Sequence, residues 1–214
     1  MRKTLVLDCD GVLYPLSAIP NAEFVQAFKD TIFSLGIGEE QYQEASTRAK
    51  AKKALGLFNF AREICQDFGV SFEAFCDGFV AHLNYTNITR DDELLDLIYE
   101  VQKYYNLAIY TNNHIKHLNK ILEAKFCKNT SNIGFICYDI TSTYFNNIFH
   151  PKKSDLGLRM VAEKLGQEPA DCILVDDAEF NCAKALSIGM EAVLITENFT
   201  LKDYLRGLLK KVRQ

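Results

Sequence analysis

No run of apolar residues in this sequence approaches the roughly 20 needed to span a bilayer. The opening "MRKTLVL" has the basic-then-apolar start of an export signal, but Asp8 interrupts it too early for a signal's apolar segment. The cysteines lack any C-x-x-C pair, and their number, seven, is odd. That excludes the usual zinc and disulfide frameworks and implies buried thiols in a reduced, cytoplasmic setting. In that setting the N-x-S/T matches, Asn84-Tyr85-Thr86 and Asn198-Phe199-Thr200 among them, carry no glycan. Positive charge is not in excess either: the formal net charge is −4, which gives no electrostatic support to a nucleic-acid or membrane partner. The basic run "RAKAKK" at 48–53 reads as a solvated helix face. Prolines are few, repeats and low-complexity segments are absent, and 48% of the 214 residues are hydrophobic, enough for a sizeable core.

Against these absences stands "KTLVLDCDGVLYP", residues 3–15. Leu5-Val6-Leu7 is a short apolar run of the kind that forms a buried parallel strand. It runs straight into Asp8 and Asp10, and carboxylates beside a hydrophobic run are costly unless something uses them. Residues 21 to about 101 differ in character: amphipathic helical stretches follow one another with no convincing strand. Asn21, Asn59 and Ser71 are candidate N-caps, and Gly36, Gly56 and Gly69 candidate stops. From residue 105 strand and helix patterns alternate. The strands are "LAIYT" (107–111), "IGFICYDI" (133–140), "CILVDD" (172–177) and "EAVLIT" (191–196). Alternation of this kind implies an α/β fold, a Rossmann-like parallel sheet with helices on both faces. The organisation expected is a core of residues 1–15 and 102–214, with an inserted all-α unit at 16–101 whose C-terminal part packs on the core.

Three of the strands end in polar residues: Asp8 and Asp10, Thr111 and Asn112, and Asp176 and Asp177. Open parallel sheets bind ligands beyond the carboxyl ends of their strands, so these residues should converge on one rim. Four carboxylates there cannot all remain charged without compensation. An oxygen-rich cluster suits a hard cation, Mg²⁺ before others. The plainer alternative is that each Asp caps the next helix or fixes a turn.

These stretches resemble the motifs of the haloacid dehalogenase (HAD) superfamily. "DCDGVLYP" resembles its first motif, "AIYTNN" its second, "KKSDLGLRMVAEKLG" its third and "CILVDDAEFN" its fourth, in the family's order. The helical insertion falls where that family carries a cap of the first type. The resemblance implies a Mg²⁺-dependent phosphatase acting on a small phosphorylated metabolite. Asp8 would be the nucleophile that forms an aspartyl-phosphate, and Asp10 the general acid and later base. A bound phosphate dianion and a neighbouring carboxylate would raise the pKa of Asp10 for the acid step. Thr111 and the backbone N–H of Asn112 would hold a phosphate oxygen. Lys152 would share its charge between nucleophile and phosphate, with Lys153 the reserve for that role. Asp177, Asp176, Asp8 and the backbone carbonyl of Asp10 would ligate the metal. The fourth motif ends in Asn181 where many relatives have Asp. Within the superfamily, "GVLYP" and "ITRDDELLDLIYEVQKYYNLAIYTNN" look most like the pyrimidine 5′-nucleotidase branch, which implies a nucleoside 5′-monophosphate substrate. Dehalogenation does not use the second Asp of the first motif, so the presence of Asp10 disfavours it.

Other reactive side chains are weaker candidates. Cys9 should alternate to the opposite face as a packed small residue; His114 and His117, three apart near a helix start, are either metal ligands or, with no HExxH-like partner, exposed surface. His150 stands near the two lysines. Phe58, Phe60, Phe75, Phe79 and Tyr85 are either a base-stacking wall or, more in keeping with helical spacing, plain core. Arg48 and Arg62 are candidates for substrate anions or an exposed helix face. A phosphoglucomutase-like phosphotransferase shares the same motifs and is the alternative enzyme. A non-catalytic regulatory or binding protein on this fold would have lost Asp8 or Asp10, and both are present.

Overall fold

A computed structural model describes residues 2–51 and 56–214. Strand β1 (Thr4–Leu7) has all four residues buried, as a central strand covered on both faces must. Helices α1 (Asn21–Ser34), α2 (Glu39–Ala51), α3 (Leu57–Asp67), α4 (Phe72–His82) and α5 (Asp92–Gln102) follow it. Then come β2 (Asn106–Tyr110), α6 (Ile115–Phe126) and β3 (Ile136–Tyr138). A hairpin of β4 (Tyr144–Phe145) and β5 (Ile148–Phe149) leads into α7 (Asp155–Lys164). The chain ends with β6 (Cys172–Asp176), α8 (Glu179–Ser187), β7 (Glu191–Leu194) and α9 (Leu201–Val212).

The sheet order is β3-β2-β1-β6-β7, parallel throughout. In register, Leu7 of β1 lies between Ile109 of β2 and Val175 of β6. The three strand ends that carry polar residues are therefore neighbours at one rim. Val6, Tyr110 and Leu174 pack to one side with Leu158 and Val161 of α7 and Ala185 of α8. Leu5 and Leu7 alternate to the other side, into the cluster that holds Leu118, Leu122 and Leu205. Each such buried side chain contributes about 1.5–3 kcal/mol by leaving water.

Phe28, Phe58, Phe75 and Phe79, from α1, α3 and α4, pack together with ring centroids 5.3–6.3 Å apart. All four are buried, so they are core and not a wall for a base. Helix α5 packs against α6 and α9, which flank the sheet. Among the described residues no helix is long and apolar enough to cross a membrane.

Some local expectations are corrected. Pro20, not Asn21, holds the N-cap position of α1, without a side-chain cap hydrogen bond. Asn59 lies inside α3, where its amide donates to the Phe149 carbonyl and accepts from the Phe149 N–H, both at 2.8 Å. A tertiary pairing with β5 outweighs its capping tendency there. Ser71 does cap α4, accepting from the Ala74 N–H at 3.3 Å. Part of the basic run at 48–53 lies outside the described residues. Arg48 pairs with Asp67 at 2.8 Å. Arg62 donates to the Asn147 carbonyl and lies 4.7 Å from the Tyr144 ring centroid.

Candidate active site

The site is assembled at the carboxyl ends of β1, β2 and β6. The Asp8 N–H still donates to the Val175 carbonyl at 2.9 Å, so the backbone of the first acid belongs to the sheet. Its side chain is buried, with Oδ1 accepting the Cys9 N–H at 2.6 Å. Lys152, fully buried, sets its Nζ 2.5 Å from Asp8 Oδ1 and 2.9 Å from Asp176 Oδ2. Its neighbour Lys153 is exposed. Asn112 uses its side-chain oxygen to accept the Lys152 N–H at 2.9 Å, which fixes the lysine's loop against the end of β2.

Asp176 is also held from the α8 side. Its Oδ1 accepts the Asn181 amide at 2.9 Å and the Ala178 N–H at 3.0 Å. Asn181 thus supports an acid, in a position where a further carboxylate would add repulsion. Asp177 comes close by a different route. Gly11 has φ +76°, and a Cβ placed on it would lie 2.2 Å from Asp177 Oδ2. Only a residue without a side chain allows that approach, and the left-handed conformation favours glycine independently. Ligand atoms of Asp8, Asp176 and Asp177 fall within 4.8 Å of one another.

The electrostatics of this cluster are unbalanced. Burial pushes Asp8 well above the usual carboxylate range, against the pull of Lys152, with Asp176 and Asp10 adding repulsion. Burial and the Asp176 charge push Asp177 up as well. Asp176 goes the other way: burial would raise it, but the Lys152 ammonium and its hydrogen bonds win. Burial opposes the charge on Lys152, and the two flanking carboxylates more than restore it. One ammonium therefore serves three carboxylates, and Asp177 has no ion pair among the described residues. An all-oxygen donor set short of positive charge fits a hard divalent cation such as Mg²⁺.

Asp10 does not share this cluster. Its side chain turns toward α6, where His117 Nε2 lies 2.8 Å from Oδ1. Tyr14 O–H donates to the same oxygen, and the Asn113 amide donates to Oδ2 at 2.6 Å. Thr111, fully buried, has its hydroxyl 3.5 Å from Oδ2 and accepts the Asn113 N–H at 3.0 Å. Burial alone would raise the Asp10 pKa; the neighbouring His117 and these donors outweigh it and hold the carboxyl well below the usual range. The Asp10 carboxyl is thus surrounded by donors that favour its ionised form.

His117 and His114 are buried, not exposed as expected. His114 caps α6, accepting the Lys116 N–H at 3.3 Å, and burial lowers its pKa. Tyr14 and Asn113 are the residues missed at this site, and Tyr85 and His117 enter it in roles other than those expected. A signal for His117 was present: Leu118, Ile121, Leu122 and Lys125 form the buried stripe of α6, and 117 sits on the same face. Cys9 is fully buried, and burial pushes its thiol well up. The His150 ring faces the Phe145 carbonyl at 3.3 Å and stays off the acids. A groove of about 680 Å³ opens beside Asp177, lined by Tyr14, Pro15, Lys125, Thr196 and Lys202. A smaller one, about 230 Å³, lies between Phe58 and Asn59 on one side and Asn112, Asn113 and Lys153 on the other.

The family model of haloacid dehalogenase-like hydrolases matches residues 2–187. No curated protein matches the chain. Several solved structures share the fold. A HAD family enzyme of Bacteroides thetaiotaomicron, solved with magnesium and inorganic phosphate, is 20% identical, with TM-score 0.55, covering 92% of this chain and 95% of its own. CbbY of Rhodobacter sphaeroides, a mutant solved with xylulose-(1,5)bisphosphate, is 16% identical, with TM-score 0.58 and coverage of 97% and 92%. A predicted HAD-like family hydrolase of Porphyromonas gingivalis is 18% identical, with TM-score 0.57 and coverage of 100% and 99%. With its motifs assembled at one rim of a five-stranded parallel sheet and the family match running through most of its length, this chain belongs to the haloacid dehalogenase-like hydrolases.

Proposed function

We propose that the protein is a Mg²⁺-dependent phosphatase that hydrolyses a small phosphomonoester through an aspartyl-phosphate on Asp8. The observation that carries this reading is the fully buried Lys152 ammonium bridging Asp8 and Asp176, with Asp177 beside them and, among the described residues, without an ion pair. Phosphate and magnesium in the Bacteroides relative, and a sugar bisphosphate in the Rhodobacter one, support the same class of substrate.

Asp8, Asp176, Asp177 and the backbone carbonyl of Asp10 would hold the Mg²⁺. Bound there, the ion supplies the positive charge that lets a carboxylate approach a phosphate dianion. Asp8 needs no base, because a carboxylate is already ionised at neutral pH once its charge is compensated. One of its oxygens attacks phosphorus as the ester oxygen leaves. Lys152 spreads its charge over the nucleophile and the transferring group, and Thr111 with the Asn112 N–H takes a phosphate oxygen. Asp10 gives the leaving oxygen a proton, then removes one from the water that opens the acyl-phosphate. The donors around Asp10 favour its ionised form at rest, the form the second step requires. The dianion of a bound substrate favours the protonated form for the first.

Helices α1–α4 act as the cap, and a groove lies between α3 and the segment after β2 at Asn112 and Asn113. We further propose a nucleoside 5′-monophosphate as substrate, on the resemblance of residues 11–15 and 88–113 to the pyrimidine 5′-nucleotidase branch. Buried Phe58, Phe75 and Phe79 leave any base contact to other side chains. Phosphate release across a panel of nucleotides and sugar phosphates tests both levels. Release that requires Mg²⁺, ends on EDTA and disappears in Asp8→Asn is the expected result. Undiminished release by Asp8→Asn overturns the chemistry, and a preference for sugar phosphates overturns the nucleotide assignment.

A further inference from the structure

We propose that His117 is a positioning residue that fixes the Asp10 carboxylate for proton transfer, and that Tyr85 anchors it. The proposal deepens the phosphatase reading and rests on it.

An Asp side chain on its own does not hold its carboxylate plane, because the terminal torsion is broad. Here the plane is fixed by donors. Oδ2 accepts the Asn113 amide at 2.6 Å, and Oδ1 accepts from both Tyr14 and His117. Tyr14 belongs to the same loop as Asp10, four residues on, so it moves with the group it holds. Asn113 and His117 come from the segment after β2 and tie Asp10 to an independent part of the fold. His117 is the more rigid of the two. It is fully buried, Phe24 meets its ring edge-on at 5.6 Å between centroids, and Nδ1 lies 2.9 Å from the Tyr85 hydroxyl. With Nε2–H donating to Asp10, Nδ1 accepts from the Tyr85 O–H, which fixes the tautomer as well as the ring angle.

Phe24 lies in α1, and Tyr85 in the segment between α4 and α5. The helices inserted between β1 and β2 therefore bear directly on the residue that orients the acid. A buried histidine with both nitrogens engaged and no reacting atom within reach has the geometry of an orienting group. Misplacing a transferring group by about 1 Å costs on the order of 10²-fold in rate.

The consequence is selective. An alkyl leaving group needs the proton from Asp10 as the bond breaks; p-nitrophenolate leaves without it. With the full chain and Mg²⁺, kcat/KM is measured for glycerol 3-phosphate and for p-nitrophenyl phosphate. His117→Ala should lower the ratio of the two values by about 10-fold or more. His117→Gln, which keeps an N–H near the Nε2 position, should bring the ratio back to within about 3-fold of wild type. Tyr85→Phe should lower it in the same direction by a smaller factor, and serves if His117→Ala does not fold. Equal losses on both esters in these variants would overturn the positioning role and leave only a packing one. Hydrolysis that survives Asp8→Asn, or wild-type protein inert toward both esters with Mg²⁺ present, would instead overturn the phosphatase reading beneath it.

Discussion

Replacing Lys152 with methionine removes one charge and little volume, so its effect isolates the buried ion cluster. At contact distance and an effective dielectric near 20, each lysine–carboxylate attraction is worth about 6 kcal/mol. The cost of dehydrating three buried ions consumes much of that, so the cluster adds little net stability as it stands. Deleting only the ammonium is different. It leaves Asp8 and Asp176 buried against each other, 2.5 and 2.9 Å from where their shared partner was. Breaking a buried pair in this way costs about 3–5 kcal/mol. In a chain of this size that lowers Tm by roughly 6–20 °C. Lys153→Met, one residue on and exposed, should change stability by less than about 0.5 kcal/mol. Urea unfolding of the metal-free proteins, with the slope m checked for constancy, measures both. The remaining carboxylates in Lys152→Met should protonate more readily, so the variant regains stability as pH falls from 7 toward 5. Should Lys152→Met unfold within 1 kcal/mol of wild type, or Lys153→Met prove the costlier change, the buried cluster described above would be refuted.

Gly11→Ala should push Asp177 out of the cluster, since the new methyl would stand 2.2 Å from its Oδ2 at φ +76°. We expect Mg²⁺ affinity by calorimetry to fall at least tenfold and the left-handed backbone to cost about 1–2 kcal/mol. Unaltered affinity would contradict the placement of Asp177. Asn59→Ala strips both hydrogen bonds from the Phe149 backbone, leaving a buried N–H and C=O unpaired at a cost of about 2–4 kcal/mol by urea midpoint. Burial lowers His114, a base, so its contribution to stability is present above the unfolded value of about 6.5 and is lost as pH falls toward the folded one. His114→Asn should flatten the stability profile between pH 6.5 and 5, and an unchanged slope would contradict this.

The parts of this molecule visible in its sequence are those governed by short-range rules. Leu5-Val6-Leu7, "LAIYT" and "CILVDD" announce buried parallel strands because covered strands cannot alternate polar residues. The polar residues at their ends follow from where such sheets bind ligands. The sequence favours Lys152 with Lys153 in reserve, and of the two the fold brings Lys152 to Asp8. The β4–β5 hairpin escaped because two-residue strands carry no period, although Asn146 and Asn147, both at positive φ, are the turn residues such a hairpin demands. Asn59 and His117 escaped for a related reason. Each is a polar residue on a buried helix face, and its partner, Phe149 or Asp10, lies about a hundred residues away in the chain. Nothing local distinguishes such a residue from an exposed one except the apolar stripe it interrupts.

The central claim is that the Asp8 carboxylate takes the phosphoryl group. Rapid acid quench of the enzyme turning over p-nitrophenyl phosphate with Mg²⁺, followed by peptide mapping by mass spectrometry, reads this directly. We expect an added phosphoryl group on the peptide containing residues 3–15, at Asp8, absent from Asp8→Asn. Turnover at full rate with the label on another residue, or on none, would contradict it.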